Sequence, residues 1–341
     1  MIYSEYAKFC LSIGYKVLET SNSVWIGPRY GFFSRMPLYE TAPPQAQELE
    51  ALFDQHRLLG INYAAEVGCK GKISHNYLVR DQNYSMNNLS TNCRRNVQKG
   101  LNSCQIRPMS FDELYHLGMP LNLDTLSRQG RSDQLFSNDN QWKRLCRAGK
   151  ELDQIEAWGA FIQNELGSYI ITTRLGPVVS VLFSHSRTKL LTAHPSPALY
   201  FSMIQTLMRT PGVEAVYNGA EWLTTSMGLD RFKQGMGFIA EPVVLVTQLR
   251  PLASCILLNN GVRRTISSLG PLLLNHNFHQ RIEAVLEMAE LSSVPCNTNV
   301  LGRDAPLARL RRTSGTSLQR HLLRKNKSYR VLVSLVARRS R

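Results

Sequence analysis

The sequence lacks any run approaching roughly 18 uncharged apolar residues, so no membrane-spanning helix is expected. Its opening, MIYSEYAKFCLSIGYK, carries Glu5 and Lys8 where a secretory leader would need an unbroken apolar stretch. Both absences predict a cytoplasmic chain, with a peripheral place at the inner membrane surface as the variant of that reading. Seven cysteines (Cys10, Cys69, Cys93, Cys104, Cys146, Cys255, Cys296) are odd in number and form no C-x-x-C pair or Cys/His cluster. That pattern argues against a disulfide framework and against a zinc site, so reduced thiols and no metal are expected. No internal repeat is visible in the sequence. Acid is the scarcer charge, with 25 Asp and Glu against 40 Lys and Arg.

What is present is a chain of 341 residues, 43% of them hydrophobic, which can bury a large core and is long enough for two or three domains. The formal net charge of +15 is uneven, because Pro251 to Arg341 holds 15 Lys and Arg against 4 acids, a local +11. Within that tail, LARLRRTSGTSLQRHLLRKNKSYRVLVSLVARRSR mixes Leu and Val with Arg and Lys. The mixture suits an amphipathic helix from about Ser317 onward, a nucleic-acid arm, a surface element for anionic membranes, or a solvated and partly disordered basic tail.

The first third reads as mixed α/β. Tyr6, Phe9, Cys10 and Ile13 recur at helical spacing, SVWIGPRYGFF reads as strand and turn, and PPQAQELEALFDQHRLLG reads as a helix ending at Gly60. INYAAEVGC and HNYLVR supply further strands. Two helical stretches, FDELYHLGMPLNLDTLSRQ and NDNQWKRLCRAGKELDQ, then lead into IEAWGAFIQN, LGSYIITTRLG and PVVSVLFSHS, which predict an antiparallel meander. ALYFSMIQTLMRTPG reads as a helix with proline at its mouth, VEAVYNGAEW as a strand, GLDRFKQGMG as a short helix, and FIAEPVVLVTQL as a last strand. The predicted order is β-β-β-α-β-α-β.

Two stretches carry candidate chemistry. In LSTNCRRNVQKGLNS, Ser90 can cap a helix that brings Arg94, Arg95 and Lys99 together and ends at Gly100. Those cations are either a solvated face or contacts for a phosphate-bearing substrate, since guanidinium forks pair with phosphate oxygens. In GLDRFKQGMGF, Phe232 and Lys233 precede a Gly-Met-Gly-Phe turn. On spacing alone Lys233 is a helix-surface lysine reaching to solvent.

Taken together, these stretches and the element order resemble the GNAT-like acyltransferases, and more closely the branch holding the Fem peptidoglycan-bridge aminoacyl transferases and related bacterial acetyltransferase domains. LSTNCRRNVQKG resembles the basic helix that opens such domains, and GLDRFKQGMGF resembles their closing Phe-Lys-x-x-x-Gly element. The resemblance spans about residues 85 to 250 and leaves the tail uncovered.

The resemblance implies an α/β (α+β) fold with a mixed, antiparallel-rich sheet flanked by helices, two GNAT-like subdomains and a basic helical tail. The implied division is an N-terminal α/β subdomain over 1–105, an acyltransferase domain over 106–250, and a basic helical or partly disordered tail over 251–341. It also implies acyl or aminoacyl transfer from an acyl-CoA or an aminoacyl-tRNA to an amine, on a cell-envelope or polysaccharide precursor. Contact with tRNA or an anionic membrane would run through the basic tail. Lys233 would point into the cleft and hold the negative charge that develops on the carbonyl oxygen. For the general base, Glu221, Asp230 and Glu156 lie near strand ends, with His185 and His194 as alternatives. Asn218 and Gly219 would orient a substrate amide or carbonyl.

The chain departs from the GNAT pattern where CoA is usually held. A Gly-rich loop at a helix N-terminus normally meets the pyrophosphate, whereas AHPSPALYF has none. Ser196 and the N–H groups of Ala198 and Leu199 remain as anion contacts, while two prolines remove donors. A second reading of the whole is a non-catalytic GNAT-like domain whose basic tail binds nucleic acid or an anionic membrane.

Overall fold

The protein is described from a computed structural model covering residues 4–20, 23–29, 31–221, 227–273 and 276–292. The expected helix from Ser317 onward lies outside these residues. The first half runs α1 (Ser4–Ser12), β1 (Lys16–Glu19), β2 (Val24–Arg29), β3 (Phe32–Met36), α2 (Ala46–Gln55), β4 (Gly60–Ala65) and β5 (Lys72–Val79). Then come α3 (Thr91–Ser103), β6 (Gln105–Met109), α4 (Phe111–Arg128), α5 (Gln134–Ser137) and α6 (Asp139–Lys150). The second half runs β7 (Ile155–Ile162), β8 (Glu165–Leu175), β9 (Val178–Ser186), α7 (Pro195–Met208), β10 (Ala215–Ala220), α8 (Met227–Gly235) and β11 (Ile239–Leu249). Helices α9 (Pro251–Leu257), α10 (Asn260–Leu273) and α11 (His276–Ser292) follow.

Among the described residues, all the strands named above join one eleven-stranded sheet in the order β1-β2-β3-β4-β11-β5-β10-β9-β8-β7-β6. Pairing is antiparallel except for β3 with β4 and β9 with β10. These two parallel pairs mark a repeat that the sequence hides. A three-stranded meander, a helix and a strand returning parallel to the third occur as β1-β2-β3-α2-β4 and again as β7-β8-β9-α7-β10. The halves then exchange strands: β5 lies beside β10, and β11 lies between β4 and β5.

The predicted meander forms because its strands are apolar on both faces. Along β8, Tyr169 and Ile171 enter a core shared with α1, α4, α5 and α6, while Ile170 enters a core shared with α3 and α7. Helix α11 lies on β11, where Thr247 donates its N–H to Ser292 Oγ at 3.0 Å and Lys72 meets Glu287 at 2.8 Å.

Two glycines read as helix ends have other duties. Helix α2 stops at Gln55, and Gly60 opens β4, where an added Cβ would stand 2.7 Å from the Phe32 ring and 3.1 Å from Gln248 O. Helix α3 passes through Gly100 to Ser103, because the missing side chain lets α3 close on α7: a Cβ there would meet His194 O at 2.5 Å and Ala198 Cβ at 2.7 Å. Alanine at Gly100 should therefore destabilise the fold by about 1–3 kcal/mol, despite alanine's better helix propensity. Urea unfolding checks this, and a variant as stable as the parent would show that α3 can move away freely.

Candidate functional site

Strands β9 and β10 create the opening on which the site is built. They pair in parallel only from Val178 to Ser180 against Ala215 to Tyr217, although β9 continues to Ser186. Past that point β10 turns its remaining residues toward β5 through an irregularity at Asn218 and Gly219, which has φ +74°. Helix α7 covers this face. Its Tyr200 brings a phenol close to Ser184 of β9 and Asn218 of β10; burial raises the phenol's pKa, and those two neighbours oppose the rise. Asn218 is 8% exposed, and its Nδ2 has no partner in hydrogen-bonding geometry. A buried amide donor without a partner is costly, and so marks a place where a substrate oxygen would fit.

Helix α8 delivers Lys233 to the same face. Its C-terminal end is clamped: Gly235 O accepts from Ser90 N at 2.9 Å, Met236 O accepts from Tyr84 Oη at 2.7 Å, and Gly237 takes φ +84° to turn the chain into β11. A Cβ on Gly235 would strike Cys93 Sγ at 2.5 Å, so α8 and α3 touch directly. Held this way, Lys233 is not a surface lysine. It is 4% exposed, its Nζ lies 4.4 Å over the Tyr77 ring, and it donates to Ala220 O at 3.3 Å. Burial lowers its pKa to about 8, with Asp230 and Glu221 pulling the other way. Lys233 therefore remains an ammonium at neutral pH, with donors left over after the bond to Ala220. Neighbouring Phe232 meets Tyr200 edge-on at 5.3 Å and ties α8 to α7.

Glu221 and Asp230 accompany it. Glu221, the residue after Ala220, holds His75 Nδ1 at 2.8 Å through Oε2, and its own N–H donates to His75 O at 2.7 Å. Asp230 has a buried Oδ1 without a partner, and it lies close enough to Tyr77 to help burial raise that phenol to about 12. His75, Tyr77 and Tyr200 escaped the sequence reading. His75 and Tyr77 alternate on one face of β5, which is the available signal, but the partners that give them meaning are far along the chain.

The other expected residues have the following surroundings. Arg94, Arg95 and Lys99 are exposed on α3, which packs inward through Val97 and Gly100. Arg94 turns back to Met86 O at 3.0 Å and Leu89 O at 3.4 Å, and Arg95 pairs with Asn92. Ser196 Oγ lies 3.0 Å from Ser168 Oγ; Ala198 and Leu199 have no exposed surface, and Ala198 N donates to His194 O at 3.3 Å. Glu156 accepts from Trp158 Nε1 at 3.2 Å on β7, two strands away from the opening in sheet order. His185 faces the opposite core, and His194 is the left-handed residue that starts α7. Among the described residues, no group of three or more His, Cys, Asp or Glu is placed to hold a metal ion, and no helix is long and apolar enough to cross a membrane.

No protein-family model matches the chain, and no curated protein matches its sequence. Solved structures do match its fold. The crystal structure of FemX superposes with a TM-score of 0.52 at 11% identity, over 74% of this chain and 93% of that one. The C-terminal domain of a putative lysylphosphatidylglycerol synthetase from Agrobacterium fabrum gives 0.52 at 11% identity, over 76% of this chain and 92% of that one. The fold is thus the arrangement of mixed sheet and flanking helices that FemX and that domain share.

Proposed function

We propose that this chain transfers an acyl or aminoacyl group from an activated donor to an amine bound where β9 and β10 part. The observation that carries the reading is the buried ammonium of Lys233, fixed by Tyr77 and Ala220 O beside that opening. A buried cation is costly unless it has a task or a partner, and a reacting carbonyl provides one. As the carbonyl carbon is attacked, negative charge collects on its oxygen, and a fixed ammonium stabilises that state more than the starting carbonyl. The Asn218 amide, whose Nδ2 has the Tyr200 phenol near it but no partner in hydrogen-bonding geometry, is suited to a second substrate oxygen.

Of the two donor classes, the site favours an aminoacyl ester on RNA over a CoA thioester. At the mouth of α7, Pro195 and Pro197 bring no N–H, the Ala198 N–H is already bonded, and α3 closes over the helix start. The exposed Arg95 and Lys99 of α3 are available to an RNA backbone instead. The acceptors to assay first are amine-bearing cell-envelope precursors, as the resemblance to Fem transferases implies, with the chain acting in the cytoplasm or at the inner membrane surface.

The test offers aminoacyl-tRNA and acyl-CoA pools with such acceptors and follows product by mass. Transfer should occur and should weaken as pH rises through about 8, where Lys233 loses its charge. Stabilisation by polyanions alone, fading with salt and with no product from either donor, would overturn the enzyme reading in favour of a binding domain.

A further inference from the structure

The His75–Glu221 pair stands beside the Lys233 site in a way that assigns the missing proton acceptor. A carboxylate can only accept, so the 2.8 Å contact to Glu221 Oε2 fixes the neutral imidazole with its proton on Nδ1 and leaves Nε2 as a bare lone pair. The contact is doubly determined, because the Glu221 backbone N–H also donates to His75 O at 2.7 Å. Both side chains keep 39% of their surface exposed, so the ring can be reached from solvent. His75 shares its face of β5 with Tyr77, the ring under Lys233 Nζ. Lys233 and His75 therefore act at consecutive residues of one chain segment: the ammonium bonds Ala220 O, and the next carboxylate holds the imidazole.

We infer that His75 is the general base for the acceptor amine and that Glu221 is its positioning residue. This rests on the acyl-transfer reading. His75 Nε2 takes a proton from the acceptor's ammonium group, and the freed nitrogen lone pair forms the bond to the donor's carbonyl carbon. The carbonyl π pair moves onto oxygen opposite Lys233. When that pair returns, the bond to the leaving oxygen or sulfur breaks with its electrons, and the leaving atom takes the proton from His75. The extra proton on the new amide nitrogen passes to water. Glu221 was one of several candidate bases in the sequence; with its carboxylate engaged by His75 it orients the base instead.

Two amines separate this from a merely structural role. Ethylamine arrives protonated at neutral pH and needs the base, whereas hydroxylamine arrives with its lone pair free. His75→Ala and His75→Gln should lower transfer to ethylamine about 10²-fold or more, while transfer to hydroxylamine falls by less than about threefold. Free imidazole should restore ethylamine transfer in His75→Ala, and Glu221→Gln should lie between that variant and the parent. In the parent chain, ¹⁵N-histidine NMR should show the His75 proton on Nδ1. Equal losses on both amines without imidazole rescue, unchanged rates in both variants, or a proton on Nε2 would each overturn the assignment. A parent chain that transfers to neither amine from either donor class would instead overturn the acyl-transfer reading, and the base role with it.

Discussion

Replacing Lys233 with methionine is expected to lower kcat for acyl transfer by about 10²–10³-fold while leaving the melting temperature unchanged or raised. The two halves of that result come from one fact. The ammonium is 4% exposed, and burial already pulls its pKa to about 8, so the folded state bears the cost of keeping a charge there. Methionine fills much of the same slot over Tyr77 without needing solvation. What it cannot do is donate to an oxygen that gains charge in the transition state. Arginine is the complementary variant: it keeps the charge, but its planar fork is too large for a site shaped around one ammonium between a ring and a carbonyl. Steady-state kinetics with thermal melts would check both variants. A methionine variant with unchanged kcat would remove Lys233 from the chemistry, and one that melts early would make its bond to Ala220 O structural.

The second large effect is on stability, on the far side of the sheet. Acidification should weaken the fold from about pH 6.5 downward through His185. Its Nδ1 lies 2.6 Å from Asn122 Oδ1 and 2.8 Å from Tyr169 Oη, and the Phe136 ring packs edge-on at 4.5 Å. Burial, with Arg131 and Arg128 adding to it, lowers the imidazole's pKa from 6.5 to about 3. The unfolded chain then binds a proton that the folded chain refuses, so this contribution is intact above 6.5 and is lost as pH falls toward 3. By about pH 5 the loss should reach about 2 kcal/mol. Asp81, Glu113 and Asp124 also have lowered values, but they start from 3.8 and 4.5, so their contribution falls away only at lower pH. Urea unfolding at pH 7 and pH 5 should show the parent losing about 2 kcal/mol more than His185→Gln. Equal losses would mean that His185 titrates normally. A group so buried is also poorly placed as the proton acceptor that the near-neutral pKa of an ordinary histidine suggested.

The fold of the second half was legible because its signals are local. IEAWGAFIQN, LGSYIITTRLG and PVVSVLFSHS became β7, β8 and β9, Pro195 and Gly212 bracket α7 and its exit turn, and Ser90 caps α3 by accepting from Cys93 N. Each depends on periodicity or on the chemistry of one or two neighbouring residues. Gly60 and Gly100 misled for the opposite reason, since both were read as stops and both are spaces needed by chain that arrives from elsewhere. The internal repeat was invisible because what the halves share is strand direction and order, which many apolar sequences satisfy.

The candidate site divides in the same way. The sequence by itself determined the strands and helices of the second half up to β11, the Gly-Met-Gly turn after α8, and Lys233 as the lysine to examine, because those depend on short-range spacing and on a recognisable pattern. Only the tertiary structure decided that Lys233 is buried on Tyr77, that Glu221 faces His75 from 146 residues away, and that β5 lies beside β10 at all. Those contacts join residues whose separation along the chain leaves no periodic trace. They exist because β5 and β11 cross between the halves to complete one continuous sheet, pairing backbone groups that would otherwise be left at open strand edges.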